Sequence, residues 1–288
     1  MAQEFNERTI SLAERQGFIV NGGIYSKEIA GERYSFRKIT DIDDLEATTP
    51  LQKTVFFKDD SDYFVCPGHM LATLNKLGGI IIAGYNSQNK LVNFSYNWPM
   101  VKDNRSDLLL LDMLGVSEEV QDRGIGYESM KILLIEAAMK DIKEIRFTYD
   151  PLKMRNANIY LRKIGAKAID FEEDPYGKEG LGGDRFLASW DISNPEAALN
   201  RMSSVQTFHS VTELNELPVV TYTFFPKDDR VILPAPQNDL TLTPEWRNSW
   251  GIFYRNVGRS YFPEYAATEF LTESIDGVRT NRYILSKK

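Results

Sequence analysis

Residues 108–116, LLLLDMLGV, make an apolar run of strand length with a single carboxylate, Asp112, inside it. Directly behind stand QDRGIG and a long apolar-patterned stretch to about Lys140. A buried strand, a glycine turn and a helix in that order point to an α/β fold. The helix carries almost no start signal in its side chains. A turn entering a helix gathers backbone N–H groups without acceptors, at the positive end of the helix dipole. Such a turn favours anions. Gly124 and Gly126 let a ligand's phosphates come close to the main chain, and Arg123 adds a cation. Taken alone, the segment reads equally as an ordinary strand-to-helix turn. It lacks the Gly-Lys-Ser/Thr of a P-loop, and Ser129 stands where a dinucleotide fingerprint has its third glycine.

The other bounds are broad. The 288 residues suit one large or two modest domains, with 42% hydrophobic residues to build a core. A net charge of −7 disfavours wholesale binding of nucleic acid or an anionic membrane. One cysteine, Cys66, and two histidines, His69 and His209, rule out an intrachain disulfide framework and disfavour a Cys/His metal site. Cys66 has no obvious activating partner, which disfavours a covalent thiol mechanism. The N-terminus lacks the apolar stretch of a signal peptide, and no apolar run approaches ~18 residues, so a cytoplasmic protein is expected.

Along the chain, a helix is expected over roughly Glu4 to Arg15, then a turn at Gly22-Gly23 and irregular chain to residue 33. YSFRKI, from Tyr34, alternates as a strand. The next helix starts with Thr40 as N-cap and Asp43 three residues on. Residues 68–77 form another helix, closed by Gly78-Gly79, and IIIAGYNSQNKLVNFSYNWP reads as a hairpin. After the glycine turn and its helix, EIRFTYDP is a strand stopped by Pro151. RNANIYLRKIG is a short helix ending at Gly165, and AKAIDFEED and DRFLASWDI are strands. A boundary near Ser193 to Pro195 divides the chain into an N-terminal extension (1–33), a main domain (34–192) and a C-terminal α/β lobe (193–288). In that lobe PVVTYTFF, RVILP and RYIL read as strands. Residues 243–262 read as a helix with Thr243 as N-cap and Pro244 first inside. Its stripe of Trp246, Trp250, Phe253, Val257 and Tyr261 is core, a cover over an acceptor site, or a homodimer contact.

The segment QDRGIG fits the Q/R-x-x-G-x-G/A pattern of the GNAT acyltransferases at Gln121, Gly124 and Gly126. Elements before and after it come in that family's order, and the resemblance covers roughly residues 34–192. It is similar in more detail to a poorly characterised GNAT branch. The matches are Met113-Leu114-Gly115-Val116, Phe147-Thr148-Tyr149-Asp150-Pro151-Leu152, Arg155-Asn156-Ala157, Tyr176-Gly177, and Asp184-Arg185 with Trp190. The resemblance implies a mixed, splayed central sheet flanked by helices. It also implies acetyl-CoA or another acyl-CoA as co-substrate, no metal, and a small-molecule or peptide amine as acceptor. Leu114 and Val116 would flank the pantetheine arm, which pairs with Val116's main chain. Gln121, Asp122, Arg123, Gly124, Ile125, Gly126 and Tyr127 would hold the diphosphate in place of a side-chain cap. Asn156 would contact the coenzyme from the short helix.

The general base is not carried over by this resemblance, because the branch commonly has a histidine where this chain has Asp112. Period two places Leu110, Asp112, Leu114 and Val116 on one face. A carboxylate in so apolar a strand is paired or used. It serves as base if its pKa is raised, or as a structural partner of Arg146 or a lysine. Tyr149 lines the acceptor pocket or belongs to the core. Asp150 orients the substrate amine or caps the following turn. Asp184-Arg185 contacts substrate or forms a fixed ion pair, and His69 carries little weight as a base. Many GNAT enzymes have an acidic tyrosine four residues before the helix-ending glycine. Counting from Gly165 gives Leu161, with Tyr160 about 100° away on an α-helix, so that acid is expected to be absent and Tyr160 to be a packing residue. The lost acid and the replaced base leave two functions open: an N-acyltransferase, or a catalytically silent CoA-binding module.

Overall fold

The computed structural model describes residues 7–56, 65–102, 104–177, 183–204, 230–236, 244–275 and 278–288. The chain forms two compact units, Met1–Arg146 with Asp191–Leu199, and Phe147–Trp190 with Asn200–Lys288.

The first unit opens with α1 (Glu7–Arg15) and an antiparallel meander, β1 (Ile19–Asn21), β2 (Ile24–Ile29) and β3 (Glu32–Lys38). The irregular chain expected at 24–33 is therefore strand. The signal lay in two tight turns, Gly22-Gly23 and Ala30-Gly31, with φ of 55°, 82°, 49° and 80°. Left-handed φ at both central residues is what a two-residue hairpin turn requires. Next come α2 (Ile42–Glu46), α3 (Thr48–Phe56) and α4 (Gly68–Lys76). The cap of α2 is Asp41, whose carboxylate accepts from the Asp43 amide at 3.0 Å, and not Thr40.

Three longer strands follow, β4 (Ile80–Tyr85), β5 (Leu91–Lys102) and β6 (Arg105–Val116), each antiparallel to the one before. One face of this sheet carries Ile81, Ala83, Tyr85, Phe94 and Tyr96, packed with Leu45 of α2 and Leu71 and Leu74 of α4. The other face receives α5 (Ile125–Ala138), which is apolar and buried nearly all round because α1 also packs on it. On that face β5 presents a polar stripe, Asn93, Ser95 and Asn97, all fully buried. The Asn93 amide donates to Gly115 O on β6 at 2.8 Å, and the Asn97 amide to Ile80 O on β4 at 3.0 Å.

The second unit holds the end of β7 (Glu144–Tyr149), α6 (Met154–Ala157), a π-turn (Asn158–Lys163), β8 (Lys167–Glu172) and β9 (Arg185–Asp191). Further on, α7 (Pro195–Ser204) leads to β10 (Arg230–Ala235), α8 (Pro244–Tyr261), β11 (Tyr265–Ile275) and β12 (Val278–Lys287). Strand β8 pairs with β9 and β11, β11 with β12, and β12 with β10, all antiparallel. The core is aromatic, with Phe186 touching Tyr149, Phe171, Tyr254, Phe262 and Tyr283 at centroid distances of 4.9–6.0 Å. Val257 and Tyr261 of the expected stripe are buried, and Tyr254, outside it, is buried more deeply than Trp246 or Trp250. Gly258 lies against the Phe171 ring, so α8 sits close on β8. Thr243 and PVVTYTFF lie outside the described residues. Among the described residues, no helix is long and apolar enough to cross a membrane.

Candidate active site

Strand β6 does not alternate as its sequence suggests. Tyr96 lies opposite Met113 and Asn97 opposite Leu111, so Asp112 is an extra residue, a β-bulge. The bulge corrects the expected single face. Leu114 and Val116 point toward α5, within 3.7 Å of where a Cβ on Gly126 would stand. Asp112 instead accepts a hydrogen bond from Trp98 Nε1 at 3.1 Å, on the side of the Phe94 and Tyr96 core. A structural pair with Arg146 is not formed. Arg146 Nε donates to Glu144 Oε1 at 2.6 Å. Asp112 keeps solvent access but has protein on most sides, and this desolvation raises its pKa against the opposing Trp98 hydrogen bond. Burial, with a smaller push from Asp112's charge, lifts the Cys66 thiol to about 11. The thiol therefore stays protonated near neutral pH.

Gln52, fully buried on α3, holds Cys66 in place. Its Oε1 accepts from the Cys66 amide at 2.8 Å and its Nε2 donates to the Cys66 carbonyl at 3.0 Å. A side-chain amide thereby pairs with backbone as a neighbouring strand would. Nothing in the sequence marks Gln52. Trp98 was findable, because pairing the predicted hairpin with the next strand brings it near Asp112.

Behind β6 the chain makes a short 3-10 turn (Glu118–Val120), passes Asp122 at φ 62°, and reaches Gly124 at φ 93°. Gly124 is the N-cap of α5 and gives no side-chain cap. A Cβ there would meet nothing within 4 Å, so the space beside it is open. Gly126 differs, because its Cβ direction faces Val116 at 3.4 Å and Leu114 at 3.7 Å. Of the two glycines, Gly124 is the one beside open space, while Gly126 faces the sheet. Arg123 Nη1 reaches Glu32 at 3.3 Å, and Glu32 also accepts from Tyr34 and Ser87. These hydrogen bonds, Tyr34's the largest, lower the Glu32 pKa. Gln121 Nε2 donates to Val116 O at 3.1 Å, on the main chain expected to pair with the pantetheine arm. Ile125 opens α5, and Tyr127 stacks on Lys131, whose Nζ lies 4.8 Å from its ring centroid.

In the second unit, Tyr149 is enclosed by Tyr160 and Phe186 at 5.5 and 5.7 Å, and burial raises its pKa. Asp150 is 2% exposed, with one oxygen accepting from the Leu152 amide at 2.8 Å and the other 3.5 Å from Arg247. Burial dominates and raises its pKa despite the amide and nearby cations. Asp184 is paired by Arg255 of α8 at 2.8 Å, while Arg185 lies over the Tyr176 ring. Asn156 is half-buried in α6, and Asn158 accepts from Arg162. His69 is exposed on the first turn of α4.

The π-turn changes the count around Tyr160. Ile164 N bonds to Ile159 O, five residues back, where an α-helix would bond four back. A π-turn inserts one residue into the helical repeat. The residue five before Gly165 therefore takes the angular place that four before has in an α-helix. Tyr160 is nonetheless a packing residue, as expected. Its ring packs on Phe147 at 4.4 Å, and burial pushes its hydroxyl up to about 12.

No family model matches the sequence, and no curated protein matches it. Solved structures are similar to part of the chain. Ribosomal-protein-S5-alanine acetyltransferase from Vibrio fischeri is 15% identical with a TM-score of 0.47, over 59% of this chain and 97% of that one. Ribosomal-protein-S18-alanine N-acetyltransferase from Escherichia coli is 13% identical with a TM-score of 0.46, over 56% and 94%. A GNAT family acetyltransferase from Elizabethkingia anophelis with acetyl-CoA bound is 15% identical with a TM-score of 0.41, over 55% and 97%.

Proposed function

We propose that this chain is a GNAT-type N-acyltransferase that moves an acyl group from acyl-CoA to an amine. The observation that carries the reading is the uncapped start of α5 at Gly124, open on one side, directly behind a strand bulged at its only mid-strand carboxylate. The first-turn amides and the helix dipole favour the coenzyme's diphosphate there. Asp112, with its raised pKa, removes a proton from the attacking amine. The amine nitrogen bonds to the thioester carbonyl carbon, the carbon–sulfur bond breaks, and the thiolate leaves. A thiol pKa of ~8.5 lets it leave unprotonated.

A silent CoA-binding module is the second reading. It is favoured by Gln121 occupying Val116 O and by Glu32 engaging Arg123. Calorimetry with acetyl-CoA, followed by thioester turnover across an amine library, separates the two. Binding lost in Gly124→Glu, together with turnover reduced in Asp112→Asn, supports the enzyme. Binding without turnover for any amine leaves the module. Undiminished binding in Gly124→Glu overturns the diphosphate assignment.

A further inference from the structure

We propose that Trp98 is the positioning residue for Asp112, and that the surface they share takes a primary amine on an uncharged, apolar frame. This rests on the acyltransferase reading for its role in turnover, while the amine site itself stands on the geometry.

An indole N–H only donates, so its bond to Asp112 Oδ2 fixes one carboxylate oxygen and its polarity. Among the described residues Oδ1 has no partner. The bulge takes the Asp112 side chain out of the strand's alternation, and no residue of β5 is paired directly opposite it. Half-buried Trp98, Cys66 and Met113 pack against the apolar cluster of Phe94 and Tyr96 beside it. The titratable groups that feel Asp112 are Cys66, ahead of α4, and Tyr96, on β5. Burial raises both pKa values, so both are neutral near pH 7. The cations of the helices packed on this face, Lys53 of α3 and Lys76 of α4, and His69 of α4, are not among the groups acting on Asp112.

A carboxylate with a free oxygen, an aromatic neighbour and, among the described residues, no cation acting on it is complementary to an ammonium group. It is not complementary to an amino acid. A carboxylate on the carbon bearing the amine would meet like charge without a compensating partner. An interface of this kind also rewards a ring stacked on Trp98.

The test uses the full-length protein with carbon-13-labelled aspartate and two amines of one frame, phenethylamine and phenylalanine. Phenethylamine is expected to shift the Asp112 carboxyl resonance saturably, and phenylalanine to bind at least tenfold more weakly. In Trp98→Phe a hydrogen bond to the charged form is lost. The Asp112 midpoint should rise by about one pH unit. The acid limb of kcat/KM should move up equally, with Trp98→His, which keeps a ring donor, restoring most of it. An unmoved midpoint in Trp98→Phe overturns the positioning role. Equal perturbation by both amines, or none by either, overturns the amine assignment, and the wild-type titration decides that even if the variant does not fold. If phenethylamine binds at Asp112 but no acyl-CoA yields product, the amine site stands and the acyltransferase reading falls.

Discussion

Two glycines two residues apart in one turn should respond in opposite directions to the same substitution. At Gly124 the backbone is left-handed, φ 93°, and a Cβ would meet no atom within 4 Å. The cost of Gly124→Ala is therefore conformational, about 1–2 kcal/mol for an L-residue in that region. Restricting the unfolded chain returns about 0.4–1 kcal/mol. The net loss is about 1 kcal/mol, a fall in Tm of about 2–4 °C for a unit of this size. Gly126 is already helical, and its Cβ would make ordinary contacts with Val116 and Leu114 at 3.4 and 3.7 Å. Gly126→Ala should gain up to about 1 kcal/mol of helix propensity. Scanning calorimetry on the two variants reads both numbers, and acetyl-CoA titration reads the second consequence. A methyl at 124 intrudes on the open side of the turn, so binding should weaken there and change little in Gly126→Ala. Equal stability of the two variants, or a Gly126→Ala protein less stable than Gly124→Ala, would refute the backbone argument.

Other outcomes follow from single contacts. Gly115→Ala places a Cβ 2.4 Å from the fully buried Phe94 ring, and over-packing should cost about 1–3 kcal/mol in denaturant titration. Gln52→Ala removes both hydrogen bonds that clamp the Cys66 backbone. It should cost about 2 kcal/mol and speed Cys66 labelling by a thiol reagent. Asp112 has a folded pKa above its unfolded value of ~3.9, so its ionised form opposes folding as pH rises through that interval. Asp112→Asn should raise Tm above that interval, most clearly near pH 7–8. The gain should shrink as pH falls toward 4, while turnover is lost throughout.

The alternation of YSFRKI, the apolar runs of β4 to β6 and the glycine turn made most of the first unit readable, because each pattern reflects local burial. Asp112 was visible as a carboxylate where an apolar residue belongs, but its direction was not. A one-residue bulge leaves no compositional trace and reverses which face a side chain joins. The π-turn beside Tyr160 was equally hidden: counting around a helix assumes its repeat, and sequence spacing does not announce a departure from it. The hairpin of β1 and β2 was missed because three- and six-residue strands give too few periods, although their glycine-bearing turns were informative. Gln52 was beyond reach, since its partner is backbone fourteen residues away.

The asparagines buried beneath α5 have a bearing on this geometry. Sliding β5 by two positions along its neighbours would keep every greasy side chain on its own side, so oil-and-water forces alone barely forbid it. Asn93 and Asn97 do forbid it, because each reaches sideways to one particular carbonyl, on β6 and on β4 respectively. Those two amides act as locating pins for the hairpin, and so fix which indole stands beside the carboxylate at the bulge.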